Sequence, residues 1–182
     1  MSPLAVLVGA PGAGKSTVGR RAAERLGCTF VDTDALIEAA AQMSVSDIFV
    51  SRGEPEFRRM EEQAVADAIA GEEGIVSLGG GAVLSDLTRQ RLQEVPVIWL
   101  RVGLHDAAQR VGMNTARPLL LGNVRGTLSQ LLTQREPLYA QVATATIDTS
   151  GRKARQVVDD VVATIIGWQA PAPANGVGEG SA

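Results

Sequence analysis

A chain of 182 residues, 45% of them hydrophobic, is long enough to bury one sizeable core and suits one domain. Its net charge of −3 offers no general attraction to nucleic acid or to an anionic membrane, so any bound anion must be drawn by local arginine clusters. One cysteine excludes an intrachain disulfide, one histidine excludes a histidine-rich metal site, and no apolar run reads as a signal peptide or a bilayer span, so the expectation is a cytoplasmic protein.

The first apolar run, Leu4–Val8, predicts a strand. It feeds Gly9-Ala10-Pro11-Gly12-Ala13-Gly14-Lys15-Ser16, which has the form G-x-x-x-x-G-K-[ST] of a phosphate-binding loop. Glycines let successive amides turn inward at phosphate oxygens, and the helix predicted over Ser16–Leu26 aims its positive end at the same anion. Lys15 supplies a point charge to the terminal phosphates, and the Ser16 hydroxyl a ligand for Mg²⁺. Only Lys15 and Lys153 among the 17 basic residues are lysine, which suits a place where a compact charge is wanted.

Cys28 reads as a small buried thiol before the second strand, Thr29–Val31. That strand ends in Asp32-Thr33-Asp34. In an extended segment, side chains two apart point the same way, so both carboxylates are expected at the sheet's carboxyl edge. There Asp32 orders the water shell of the metal, and Asp34 orients or deprotonates an attacking hydroxyl. Asp32 or Thr33 can instead cap the helix predicted over Thr33–Ala41, which explains one acid more readily than two. In the next helix, Pro55–Ala70, an apolar stripe of Phe57, Met60 and Ala64 runs beside Arg58 and Arg59. The third strand, Gly74–Leu78, delivers Gly79-Gly80-Gly81, whose backbone admits close approach of a ligand to main-chain amides.

A helix over Ser85–Glu94 precedes the fourth strand, Val97–Leu100. No acid ends that strand and no Asn-Lys-x-Asp guanine reader occurs, which disfavours motor ATPases and GTP switches. His105 sits at the surface near the start of a helix over Gly103–Val111, and Arg110 lies near its end. Residues 112–123 read as a mobile loop carrying Arg117, held extended by Pro118. Gly126–Arg135 is helical, with Arg135 at its end before Glu136-Pro137. Strand Ala145–Ile147 and helix Arg152–Trp168 follow, then a Pro/Ala/Gly tail over 169–182 expected to be disordered. Strands separated by helices imply a parallel sheet covered on both faces, with its binding loops along one edge.

In order and spacing, Gly9–Ser16, Asp32-Thr33-Asp34, Glu56-Phe57-Arg58, Gly79-Gly80-Gly81 and Arg117-Pro118-Leu119 resemble the shikimate kinase family. The similarity runs from Leu4 to Ile166. It implies an α/β, three-layer αβα P-loop kinase fold of the nucleoside monophosphate kinase class, with a five-stranded parallel sheet in order 2-3-1-4-5 and a mobile lid at 112–123. One domain over 1–168 is implied. So is MgATP-dependent phosphorylation of the 3-hydroxyl of shikimate, in aromatic amino-acid biosynthesis, by a monomer. Position by position, Gly12, Ala13, Gly14, Lys15, Ser16 and Thr17 match the ATP loop, with Ser16 the Mg²⁺ ligand and Asp32 the acid near that metal. Asp34, Arg58, Gly80 and Arg135 match residues that hold shikimate, with Gly79 and Gly81 in the same element. Phe49 and Phe57 match aromatics near the ring. Arg117 matches the lid arginine, Arg110 one beside the nucleotide, and Arg152 the basic residue beside the adenine. Lys15, Asp34 and Arg117 are thus the expected catalytic set. Gluconate kinase, a nucleotide kinase, or a nucleotide-binding module without turnover are the alternatives. The arginine pair and triple glycine favour shikimate over the first two, and intact Lys15, Ser16, Asp34 and Arg117 argue against the third.

Overall fold

The computed structural model describes residues 2–112 and 123–170. Residues 113–122 of the lid expected over 112–123, Arg117 among them, and the tail from 171 lie outside the described residues. Four consecutive apolar residues buried on both faces make β1 (Ala5–Val8) a central strand. It pairs in parallel with β3 (Ile75–Ser77) and β4 (Val97–Arg101), while β2 (Phe30–Asp32) and β5 (Ala145–Asp148) close the two sides. The order is β2-β3-β1-β4-β5, as the family resemblance implies.

Helices cover both faces. The α1 helix (Lys15–Leu26) buries Val18, Gly19, Ala22 and Ala23 and packs beside α8 (Ala154–Gln169), to which Arg25 is ion-paired through Asp159. The α2 (Thr33–Ala41), α3 (Val45–Arg52) and α4 (Glu54–Gly71) helices enclose a second small apolar cluster of Ile37, Ile48 and Phe57, with Phe49, Met60 and Ala64 against it. A 3-10 turn (Ala82–Leu84) and α5 (Asp86–Leu92) follow β3, α6 (Leu104–Gly112) follows β4, and α7 (Val124–Val142) leads to β5.

The structure departs from the sequence expectations in three places. It adds α3, begun by Ser44, whose side chain accepts from the Asp47 amide; the helix buries only Ile48, too little apolar periodicity to read. It carries α7 straight through Pro137, so Arg135 lies within the helix and not at its end. An interior proline costs about 3 kcal/mol. Leu128, Leu132, Tyr139 and Val142 form one buried stripe that crosses it, and burying four such side chains at about 1.5–3 kcal/mol each outweighs the break. Cys28 is half-buried and not fully enclosed; burial still pushes its thiol pKa up.

At Gly19 the helix meets the sheet without clearance: a Cβ there would lie 2.5 Å from Phe30 Cε2 and 2.9 Å from Leu7 Cδ1. Gly19→Val is expected to lower stability by about 2 kcal/mol through overpacking, read as a fall in the urea midpoint. Gly19→Ala should cost less, because helix propensity returns about 1 kcal/mol.

Candidate active site

The chain leaving β1 turns through Gly14, whose φ of 88° lies in the left-handed region, and enters α1 with no side-chain cap on its first amides. Those amides are the ones an anion can take. Lys15 folds back over the loop and donates from Nζ to the carbonyls of Gly9 at 2.8 Å and Ala10 at 3.2 Å. Arg110 reaches in from α6 and donates to Gly12 O at 3.1 Å and to Thr149 O at 3.0 Å, tying the loop to the turn after β5. A cavity of about 330 Å³ opens between Gly12, Gly14, Lys15, Ser16, Thr17 and Arg110. A neighbouring one of about 210 Å³ includes Ala13, Thr17, Arg110 and Arg152. Arg152 is stationed at its rim by Asp148 O at 3.0 Å and Asp160 at 2.7 Å.

The two acids after β2 hold different positions from those expected of an extended pair. Asp32 caps α2, accepting from the Asp34 amide at 3.0 Å, while Asp34 stands in the helix's first turn. Capping does not use up the carboxylate, because the other Asp32 oxygen accepts from Ser16 Oγ at 2.5 Å. A hydroxyl and a carboxylate oxygen side by side suit Mg²⁺, a hard cation that takes one or two protein oxygens and completes its octahedron with phosphates and water. No larger group of acidic, histidine or cysteine ligands gathers among the described residues.

On the other side of the cleft, Gly79–Gly81 lies against the phosphate loop: a Cβ on Gly80 would stand 3.1 Å from Pro11 Cδ and 3.5 Å from Gly9 O. The Gly79 amide is already committed to the buried Thr33 hydroxyl at 3.1 Å. Gly79 provides room instead, since an Asp34 oxygen and a Glu61 oxygen each lie 2.6 Å from where its Cβ would be. Arg58 donates to Glu61 at 2.6 Å and to Glu54 at 3.0 Å, and its guanidinium lies against the Gly81 Cα. It also lies 5.9 Å from the Phe49 ring centre and 5.4 Å from that of Phe57, rings themselves 4.5 Å apart. Arg135 is 8% exposed and donates to Gly80 O at 3.0 Å; its Nε has no partner among the described residues. The structure thus brings Asp34, Arg58, Gly79, Gly80, Gly81, Arg135, Phe49 and Phe57 to one side of the cleft and the nucleotide-loop residues to the other.

Two residues here escape the sequence reading, Glu61 and Tyr139, and so does the bond of Thr33 to the Gly79 amide. Glu61 carried a usable signal. It falls four residues after Phe57 and four before Val65, on the buried stripe of α4, where a charge has no business without a partner. Burial pushes its carboxyl above the usual range, only partly countered by Arg58, with Asp34 adding to the rise.

A glycine-rich phosphate loop at the carboxyl edge, an acid after β2 and a pair of arginines across the cleft define a P-loop small-molecule phosphotransferase. Comparison with known proteins narrows the class. The family model for shikimate kinase matches residues 11–166. The chain is 56% identical over 148 residues to the shikimate kinase of Thermobifida fusca, covering 81% of this chain and 86% of that one. It is 53% identical to that of Saccharopolyspora erythraea, covering 89% and 93%. Among solved structures, the shikimate kinase of Acinetobacter baumannii in complex with shikimate superposes with a TM-score of 0.88 at 33% identity, covering 94% of this chain and 96% of that one. The chain belongs to the shikimate kinase family.

A carboxyl whose folded pKa is raised stabilises the fold below its unfolded value of 4.5 and loses that contribution as pH rises through the folded value. Glu61→Gln removes the titration. The melting temperature of the variant minus that of the wild type is therefore expected to increase as pH rises from 4.5 toward neutrality; a difference flat with pH contradicts it.

Proposed function

We propose that this chain transfers the γ-phosphoryl group of ATP to the 3-hydroxyl of shikimate, giving shikimate 3-phosphate and ADP. The observation that carries the reading is the contact of the phosphate loop with the triple-glycine loop at Gly80, which seats an acceptor beside the nucleotide's terminal phosphates. The acceptor side has the chemistry of a hydroxylated carboxylic acid. Arg58 and Arg135 present planar guanidinium forks to a carboxylate, and Asp34 accepts from a hydroxyl. A nucleotide acceptor leaves the paired forks without a carboxylate to hold, whereas gluconate, itself a hydroxylated carboxylate, is told from shikimate by the assay below.

In this mechanism the loop amides and Lys15 grip the phosphates, with Thr17, Arg110 and Arg152 around the nucleoside end. Ser16 and Asp32 would hold Mg²⁺, which would supply positive charge against that of the phosphates. Asp34 orients the 3-hydroxyl for in-line attack and takes its proton. Arg117, outside the described residues, is the cation that would complete the charge clamp. The reading includes a monomeric cytoplasmic enzyme of aromatic amino-acid biosynthesis. In support, the large exposed apolar side chains among the described residues, Leu36, Val50, Leu87 and Ile166, lie on four different helices. No helix among the described residues is long and apolar enough to cross a membrane.

A coupled ADP-release assay offering shikimate, gluconate and nucleoside monophosphates tests the substrate; turnover confined to shikimate is expected, and nucleotide binding without turnover on any acceptor refutes it. Lys15→Met and Asp34→Asn should each lower kcat by at least about 100-fold. Arg58→Ala should chiefly raise the KM for shikimate, by roughly 10- to 100-fold, leaving that for ATP near its wild-type value.

A further inference from the structure

We infer that Tyr139 is a positioning residue for the acceptor: its hydroxyl locks the Gly80–Gly81 peptide so that the Gly81 N–H faces the bound acid. The inference rests on the acceptor reading above for the identity of that acid, though not for the geometry of the peptide.

The carbonyls of the glycine loop are not held alike. Gly79 O accepts from the Ala82 amide at 3.1 Å and Gly81 O from the Leu84 amide at 2.9 Å, both local backbone bonds. Among the described residues, Gly80 O accepts from side chains only: the Tyr139 hydroxyl at 2.6 Å and Arg135 Nη1 at 3.0 Å. Both come from one face of α7, four residues apart, and Tyr139 is 1% exposed with its ring 5.9 Å from that of Trp99 on β4. Burial, offset in part by Arg135, pushes the phenol up to about 12, so the hydroxyl stays protonated and remains a donor.

In a trans peptide, the C=O of one residue and the N–H of the next point in opposite directions. Drawing Gly80 O toward α7 therefore turns the Gly81 N–H away from α7, on a residue whose Cα abuts the Arg58 guanidinium. Neither the Gly80 nor the Gly81 amide donates to a partner among the described residues, whereas Gly79 has given its own to Thr33. A run of three glycines sets little steric barrier to rotation of this peptide. A half-turn would present a carbonyl to an incoming carboxylate and aim the N–H at Tyr139 and Arg135, inverting the site's polarity. Arg135 alone is a poor lock, because the proposed function also asks it to hold the carboxylate. The tyrosine hydroxyl, which is bonded to Arg135 as well, holds the carbonyl from a second side and leaves the arginine's remaining donors for the acid.

Tyr139→Phe keeps the ring and its packing while deleting the lock. Steady-state kinetics should show the shikimate KM raised about 5- to 20-fold, with the ATP KM within roughly twofold of wild type and kcat changed less than the shikimate KM. An unchanged shikimate KM, or equal increases in both KM values, overturns the proposal. In the protein without ligand, the ¹H–¹⁵N resonance of Gly81 should be single and sharp in the wild type and doubled or exchange-broadened in Y139F. A sharp, unshifted Gly81 resonance in Y139F overturns the proposal whatever the acceptor, whereas a wild type inert toward shikimate sinks the proposed function alone. Tyr139 is the chain's one tyrosine, so 3-fluorotyrosine labels this site uniquely if Y139F does not fold. Its ¹⁹F resonance should shift on adding shikimate and stay put on adding MgADP; indifference to shikimate in labelled enzyme that turns it over refutes the lock.

Discussion

The parallel seating of β1 between β3 and β4 is the constraint on which the cleft depends. Leu7 lies opposite Ser77 on one side and Ile98 on the other, and Ser77 in turn lies opposite Asp32 of β2. Strands in register end at the same level, so the loops beginning at Gly9, Asp32 and Gly79 are delivered to one edge. Backbone groups at that edge have no further strand to pair with. Some find partners inside the protein, as the Gly79 amide does with Thr33. The rest form a polar rim that a ligand completes. A glycine at position 80 then lets two of these loops touch, with Pro11 and Gly9 filling the space a side chain would need.

A protein of net charge −3 gathers cations around this rim by holding each with a counter-partner. Arg152 rests on Asp160, Arg58 on Glu54 and Glu61, Arg110 on carbonyls of Gly12 and Thr149, and Arg135 on Gly80 O. Immobilising a long side chain costs about 0.5–1.5 kcal/mol when it is done at binding. Here the ordering is largely complete in the folded chain. Glu61 shows the penalty of the arrangement. Its desolvation is not fully recovered from Arg58, as expected for a buried ion pair whose geometry serves orientation ahead of stability.

What could be read from the residues alone followed from local spacing. The phosphate loop, the strand–helix alternation and the acids after β2 each declare themselves within a window of a few residues. The strand order came through the resemblance and not through any pattern of hydrophobicity. The roles that escaped notice act across the chain. Thr33 meets an amide 46 residues away, and Tyr139 a carbonyl 59 residues away, and neither belongs to a spacing rule. Asp32 was legible as a cap, yet only the fold shows that one of its oxygens takes the Asp34 amide while the other accepts from Ser16. Pro137 misled for a physical reason: a local penalty was weighed without the tertiary burial that offsets it.

That same burial explains why α7 must be one helix. Had it stopped before Pro137, Arg135 and Tyr139 would stand on separate elements, and nothing would keep their donors trained on a single oxygen. A continuous helix fixes them one turn apart. Thr133, four residues before the proline, donates its hydroxyl to Ser129 O at 2.9 Å, one turn before the carbonyl that Pro137 leaves without its helical partner. The helix begins at Val124, directly after the segment that carries Arg117, and its middle grips the triple-glycine loop at Gly80. Any displacement of its first turn is therefore borne by a rigid element whose far half is anchored on Gly80 and on Trp99 of the central sheet. The fold thus joins the proposed charge clamp and the proposed acceptor seat through one helix, whose register a proline interrupts without breaking.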